Sequence, residues 1–131
     1  SDEDYFISLF YKAFEFLEKL NSKKLSISKN EYNYFVDEFE KKELLKNGAQ
    51  VVDVRSADEF MGGNVSGSIN IPLNEVPERV AEFKNIERPI VLCCLSGGRS
   101  GQATGFLQSQ GIECFNGGGW MDVDYAMSQT S

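Results

Sequence analysis

Residues 90–100 read Ile-Val-Leu-Cys-Cys-Leu-Ser-Gly-Gly-Arg-Ser, placing two thiols, a guanidinium and two hydroxyls in one short stretch. A cysteine acts as a nucleophile only as its thiolate, which positive charge and oriented backbone N–H groups favour. Ile90 to Leu92 form an unbroken apolar run, as expected of a strand buried on both faces of a parallel sheet. Gln102 to Gln110 can form a helix. A strand that turns through glycines into a helix leaves a cup of N–H groups, with the positive end of the helix dipole at its floor. Such nests bind anions. Cys94, at the strand end, is therefore a candidate nucleophile. The plainer reading of a free cysteine is a small buried hydrophobe. Gly97, Gly98, Arg99 and Ser100 favour the chemical reading, because a purely structural turn needs no cation.

Composition narrows the chemistry further. The chain has 131 residues, enough for one domain with a real core, and ten Phe and five Tyr to fill it. It contains no histidine, which excludes Ser-His-Asp and Cys-His catalysis. With three cysteines and no histidine, neither a metal site nor a cofactor is expected. The odd cysteine count suits a reducing compartment or a reactive thiol rather than a disulfide framework. A net charge of −7 argues against nucleic acid or an anionic membrane surface as the main partner. No signal-like or membrane-spanning run is present, so a cytoplasmic location is expected. The start at Ser1 leaves export before removal of an upstream segment as the alternative.

The elements that would position Cys94 follow from periodicity. Residues 4–20 carry Phe6, Leu9, Phe10, Ala13, Phe14, Leu17 and Leu20 at helical spacing. This helix is expected to pack on its own domain; the alternative is a docking helix for a partner or a dimer. A short edge strand is expected within 21–28. Ser28 or Asn30 caps a second helix reaching Lys46, with Asn47-Gly48 as its stop. Glu38, Glu40, Lys41, Lys42 and Glu43 read as its solvated face. Strands are expected over 50–54, 68–71 and 112–115, and helices over 57–61 and 75–84, with Pro77 in the first turn of the latter. Residues 116–119 read as a flexible turn before Trp120, a lid or anchor. Strands alternating with helices imply an α/β fold with a parallel sheet covered on both faces. Residues 1–43 form an N-terminal helical extension packed on a domain of residues 44–131.

Four segments carry a family resemblance. Cys94-Leu95-Ser96-Gly97-Gly98-Arg99-Ser100 resembles the C-x-x-G-x-R-S active-site loop of the rhodanese-like sulfurtransferase domains. Val52-Asp53-Val54-Arg55 with Glu59-Phe60 resembles that family's D-V-R…E-F/Y segment. Residues 63–73 resemble its G-H-I-x-G-A-I-N-I-P-L segment, and Gly118-Gly119-Trp120 its closing G-G-W. The resemblance spans about residues 44–123 and implies a rhodanese-like fold and sulfurtransferase activity. Two positions depart from the pattern. Asn64 replaces the usual His, and Leu95 stands where many members carry a basic residue.

The expected reaction moves a sulfane sulfur through a Cys94 persulfide to a thiophilic acceptor. Leu95, Ser96, Gly97, Gly98 and Ser100 would form the substrate-binding loop, and Arg99 would supply positive charge. Asp53, Arg55 and Glu59 read as structural support, polar groups satisfying one another beneath the loop. The donor would be a small sulfur compound such as thiosulfate, or a persulfidated protein, and the acceptor a thiol or cyanide. Two alternatives remain at this point. Cys93 to Arg99 also spells C-x-x-x-x-x-R, a phosphatase signature with Cys93 as nucleophile. A non-catalytic rhodanese-like protein-binding module is the other.

Overall fold

A computed structural model describes residues 10–16, 18 and 28–129, and the chain divides into two compact units, Ser1–Glu43 and Leu44–Ser131. In the first unit, residues 10–16 and 18 are helical, as expected, while the rest of the helix and strand expected over 4–28 lies outside the described residues, Ser28 apart. The buried stripe differs from expectation. Phe10 and Phe14 are 69% and 50% exposed, and it is Phe16 whose ring meets Phe35 and Phe39, at centroid distances of 5.3 and 6.0 Å. Phe35 and Phe39 lie one turn apart on α1 (Lys29–Lys46) and so present a paired aromatic surface. The α1 N-terminus is capped as expected, Ser28 Oγ accepting from the Glu31 N–H at 3.1 Å. Lys41 departs from the expected solvated face: it is buried and pairs with Glu38 at 2.9 Å. Gly48, at φ 86°, ends the helix, and the Ala49 N–H returns to the Leu44 carbonyl at 3.0 Å.

In the second unit four strands form one parallel sheet in the order β2-β1-β3-β4. They are β1 (Gln50–Asp53), β2 (Ile69–Asn70), β3 (Ile90–Cys94) and β4 (Phe115–Gly119). Both central strands are buried along their whole length, as their near-continuous apolar sequences require. Alternation divides them between two faces. Val52, Val54, Ile90, Leu92 and Cys94 join a cluster with Ala103 and Leu107 of α4 (Gly98–Ser109) and with Val76 and Phe83. On the other face Val91 lies beside Val123 of α5 (Trp120–Ser128), with Gly117 between them. The chain runs from β1 outward to β2, then crosses back to β3 and on to β4. The order therefore reverses between β1 and β3. The crevice beyond the carboxyl ends of such a pair is where open α/β sheets bind ligands. Cys94 ends one of these strands and Asp53 the other.

Several elements differ from the sequence reading, the strand expected over 68–71 being only Ile69–Asn70. The helix expected over 75–84 is a 3₁₀ segment, Leu73–Arg79, that becomes α3 (Val80–Lys84). Pro77 explains the split, since it offers no N–H and its ring crowds the preceding turn of an α-helix. The last strand is not 112–115 but Phe115–Gly119, so the glycine run is strand rather than turn. Close approach demands glycine there. A Cβ on Gly117 would lie 2.7 Å from Val91 Cγ1 and 2.9 Å from Val123 Cγ2. A further difference is α5, which periodicity did not suggest. The helix following β3 also begins four residues before Gln102, directly at the glycines.

Candidate active site

The loop from β3 into α4 folds back over the end of its own strand. Gly97 takes φ 102°, a left-handed conformation that glycine adopts without strain. This turns the Gly97 N–H onto Cys94 Sγ at 3.0 Å. Ser100, fully buried in the first turn of α4, brings its Oγ to 3.4 Å from the same sulfur. Burial alone would raise the Cys94 thiol, but hydrogen bonds from the Ser100 hydroxyl and from the N–H groups of Ser100, Gly97 and Ser96 outweigh it, and the net displacement is downward. The other two thiols move the opposite way. Cys93 is pushed up to about 12, first by burial and then by the nearby Asp53 charge, and Cys114 to about 11 by burial. Cys93 and Cys94 project from opposite faces of β3, and Cys93 is wholly buried. The geometry thus speaks against Cys93 as the nucleophile of a phosphatase-like loop.

Leu95, Ser96 and Gly98 form the exposed lip of the cup, with Leu95 60% exposed. Arg99 sits at the start of α4, but its charge is not free. Its Nη1 and Nη2 donate to Glu59 Oε1 and Oε2 at 2.7 and 3.0 Å. The Arg99 hydrogen bond is the largest of the influences that lower Glu59 to about 2. Glu59 also closes a capping box with Ser56 at the start of α2 (Ala57–Met61). Arg99 further lines a cavity of about 540 Å³ between the 3₁₀ segment and α4, walled by Val54, Leu73, Val76, Pro77 and Phe106; Cys94 is not among its lining residues.

Asp53 and Arg55 form the support. Arg55 Nε reaches both Asp53 oxygens at 3.0 Å, and Nη2 reaches Asp53 Oδ2 at 2.7 Å and the Gly63 carbonyl at 2.6 Å. The Trp120 ring lies over the guanidinium at 4.8 Å, which gives Trp120 the role of anchor. Both charges are almost completely buried, and Asn70 Nδ2 ties the Asp53 and Arg55 carbonyls together at 3.0 and 2.9 Å. The structure therefore divides the expected support group. Asp53 pairs with Arg55, whereas Glu59 pairs with Arg99 of the cup. Asn64 has a local task, donating to the Phe60 carbonyl at 2.9 Å.

One residue at the site was not singled out from the sequence. Asn116 of β4 accepts from Ser100 Oγ at 2.7 Å, accepts from the Gly118 N–H at 3.0 Å, and donates to the Gly97 carbonyl at 3.2 Å. It reaches the cup because β4 carries a bulge. Leu92 pairs with Asn116 and Cys94 with Gly119, three steps against two. The signal was the glycine run itself, which marks a bulge when it falls inside a strand.

Comparison with known proteins agrees with this architecture. Residues 36–123 match the family model described as the rhodanese-like domain. The chain belongs to the rhodanese-like family. It is 40% identical over 69 residues to the uncharacterized protein YqhL of Bacillus subtilis, covering 52% of this chain and 54% of that protein. It is 38% identical over 74 residues to thiosulfate sulfurtransferase PspE of Escherichia coli, covering 55% and 71%. The chain thus spans about half the length of YqhL. Among solved structures, a rhodanese-like domain protein from Staphylococcus aureus superposes with a TM-score of 0.57 at 28% identity, over 67% of this chain and 86% of that one. Among the described residues no helix is long and apolar enough to cross a membrane.

Proposed function

We propose that this rhodanese-like domain is a sulfurtransferase that carries a sulfane sulfur as a Cys94 persulfide. The observation that carries the reading is the cup itself: Cys94 Sγ lies under the Gly97 N–H, and Cys94 alone of the three thiols is made more acidic. The similar Escherichia coli protein PspE is named a thiosulfate sulfurtransferase. In the first step the Cys94 thiolate attacks the outer sulfur of the donor. A Cys94 S–S bond forms as the donor's own bond to that sulfur breaks, and the bonding pair leaves with the donor, as sulfite from thiosulfate or as a thiolate from a persulfide. The terminal sulfur carries the negative charge, and the loop N–H groups and the helix dipole stabilise it. In the second step an acceptor thiolate or cyanide attacks that terminal sulfur, and Cys94 departs as thiolate. A lowered thiol pKa favours that departure, because a better-stabilised thiolate leaves faster.

The donor preference follows from the lip. Leu95 offers an exposed apolar side chain, and Arg99 is already held by Glu59. A neutral or protein-borne persulfide suits such a rim better than a dianion. The test is intact mass after incubation with thiosulfate or a polysulfide, then with cyanide. One sulfur should be gained and then lost. Cys94→Ser should abolish the gain and Cys93→Ser retain it. Added sulfur mapped to Cys93 or Cys114 would refute the assignment.

A further inference from the structure

Ser100 has one hydroxyl proton and two neighbours that could take it. Asn116 settles which one it serves at rest. The Gly118 N–H can only donate and the Gly97 carbonyl can only accept, so the Asn116 amide is fixed with Oδ1 toward Gly118 and Nδ2 toward Gly97. Oδ1 therefore also faces Ser100, and since it cannot donate, the 2.7 Å bond uses the Ser100 proton. The Ser100–Cys94 distance is longer, 3.4 Å, and with its one proton on Asn116 the hydroxyl is left with a lone pair for the sulfur. That arrangement suits a protonated thiol, whose S–H can donate to Oγ. A thiolate requires the opposite: the hydroxyl must turn its proton onto Sγ and leave Asn116 Oδ1 with the Gly118 N–H alone. Ser100 is fully buried, so solvent does not supply a second proton.

We propose that Asn116 is a positioning residue that competes with the Cys94 sulfur for the Ser100 proton, and so sets how readily Cys94 is held as a thiol or released as a thiolate. This rests on the persulfide reading above and deepens it, because the same sulfur must serve first as nucleophile and then as leaving group. An acceptor that draws the proton away keeps the resting thiol from becoming a weak, over-stabilised thiolate. When the sulfur becomes anionic the hydroxyl swings back to it. The other charged groups around the sulfur do not compete for this proton. Arg99 is paired with Glu59, Asp53 with Arg55, and Cys93 points to the opposite face; Asp122, at the start of α5, lies near Gly119.

The test is the pH dependence of Cys94 alkylation by iodoacetamide in the full chain. Asn116→Ala frees the hydroxyl for sulfur and should lower the midpoint by roughly half to one pH unit. In a Ser100→Ala background the same substitution should leave the midpoint where Ser100→Ala alone puts it. Asn116→Asp keeps the acceptor and adds charge, so it should raise the midpoint in the chain that retains Ser100. Were Asn116 only a staple between the loop and β4, losing it would loosen the Gly97 N–H and raise the midpoint instead. A rise or no change in Asn116→Ala, or a fall that survives without the Ser100 hydroxyl, overturns the proposal. The alkylation readout needs no sulfur transfer. A chain that takes up no sulfur from thiosulfate or polysulfide would end the persulfide reading while leaving the titration result to stand.

Discussion

Replacing Glu59 with Gln should turn Arg99 from a paired cation into an available one. Glu59 holds the guanidinium through two charge-assisted bonds of 2.7 and 3.0 Å. The substitution is selective because Gln also serves in a capping box, so the start of α2 keeps its bond from the residue-59 N–H to Ser56 Oγ, now 3.2 Å. What disappears is one negative charge beside the proposed donor site. For an assumed separation of about 10 Å in a water-like dielectric, one charge acting on a dianion changes binding about four-fold. The KM for thiosulfate should therefore fall about four-fold at low ionic strength, with kcat nearly unchanged because ground and transition states gain alike. In about 1 M salt, where the screening length is near 3 Å, the difference should vanish. Steady-state kinetics across a salt series decide the matter. An unchanged KM at low salt, or a fall that persists at high salt, would refute the electrostatic reasoning. The pair also has an acid signature. Glu59 titrates near 2 in the folded chain against 4.5 ordinarily. A depressed carboxylate contributes stability that is fully present above about pH 4.5 and is lost as pH falls toward about 2. Denaturant midpoints should drop across that window in the parent chain and drop less in Glu59→Gln.

Three further outcomes are expected. Leu95→Arg adds a cation at an exposed position and should lower the thiosulfate KM roughly ten-fold at low salt, the equivalent of about 1.4 kcal/mol. Arg55→Met leaves the wholly buried Asp53 without its partner and should cost about 3–5 kcal/mol in urea unfolding; a loss below about 1 kcal/mol would mean that the carboxylate finds another partner or solvent. Gly117→Ala places a methyl 2.7 Å from Val91 and 2.9 Å from Val123, two packed side chains on facing elements, and should cost about 1–3 kcal/mol by thermal melting.

What the sequence revealed and what it hid divide along a physical line. The parallel sheet and Cys94 at its strand end were legible because a buried strand must be apolar throughout and a cup must contain glycine. The Asp53–Arg55 pairing was legible because both charges lie at the end of a buried strand, where neither could stay unpaired. The partner of Glu59 was not. Spacing brings Glu59 near Arg55, one helical turn away, whereas the fold gives it to Arg99, forty residues on. The strand over 115–119 was hidden because glycine is poor in strands as a propensity, and only the Val91 and Val123 side chains on either side make it necessary. Asn116 was hidden for a related reason. Its reach into the cup comes from a register shift between β3 and β4, and local sequence does not encode the partner strand.

Parity within β3 then ties fold to chemistry. Adjacent cysteines in a strand cannot share a face, so the sheet gives one of them to the α5 side and the other to the cup. The one in the cup is still only 1% exposed. Such burial favours a reaction in which the partner brings its reacting atom on a slender tip. A terminal sulfur, in thiosulfate or in a persulfide, is one atom wide and carries its bulk behind it. It can descend onto Cys94 while the body of the donor rests on Leu95 and the neighbouring lip. A tetrahedral phosphate must be enclosed on several sides at once, a task less suited to a loop drawn down onto its own cysteine by the Gly97 N–H. Burial, loop size and an apolar lip thus all favour the transfer of a single sulfur atom over the capture of a bulky anion.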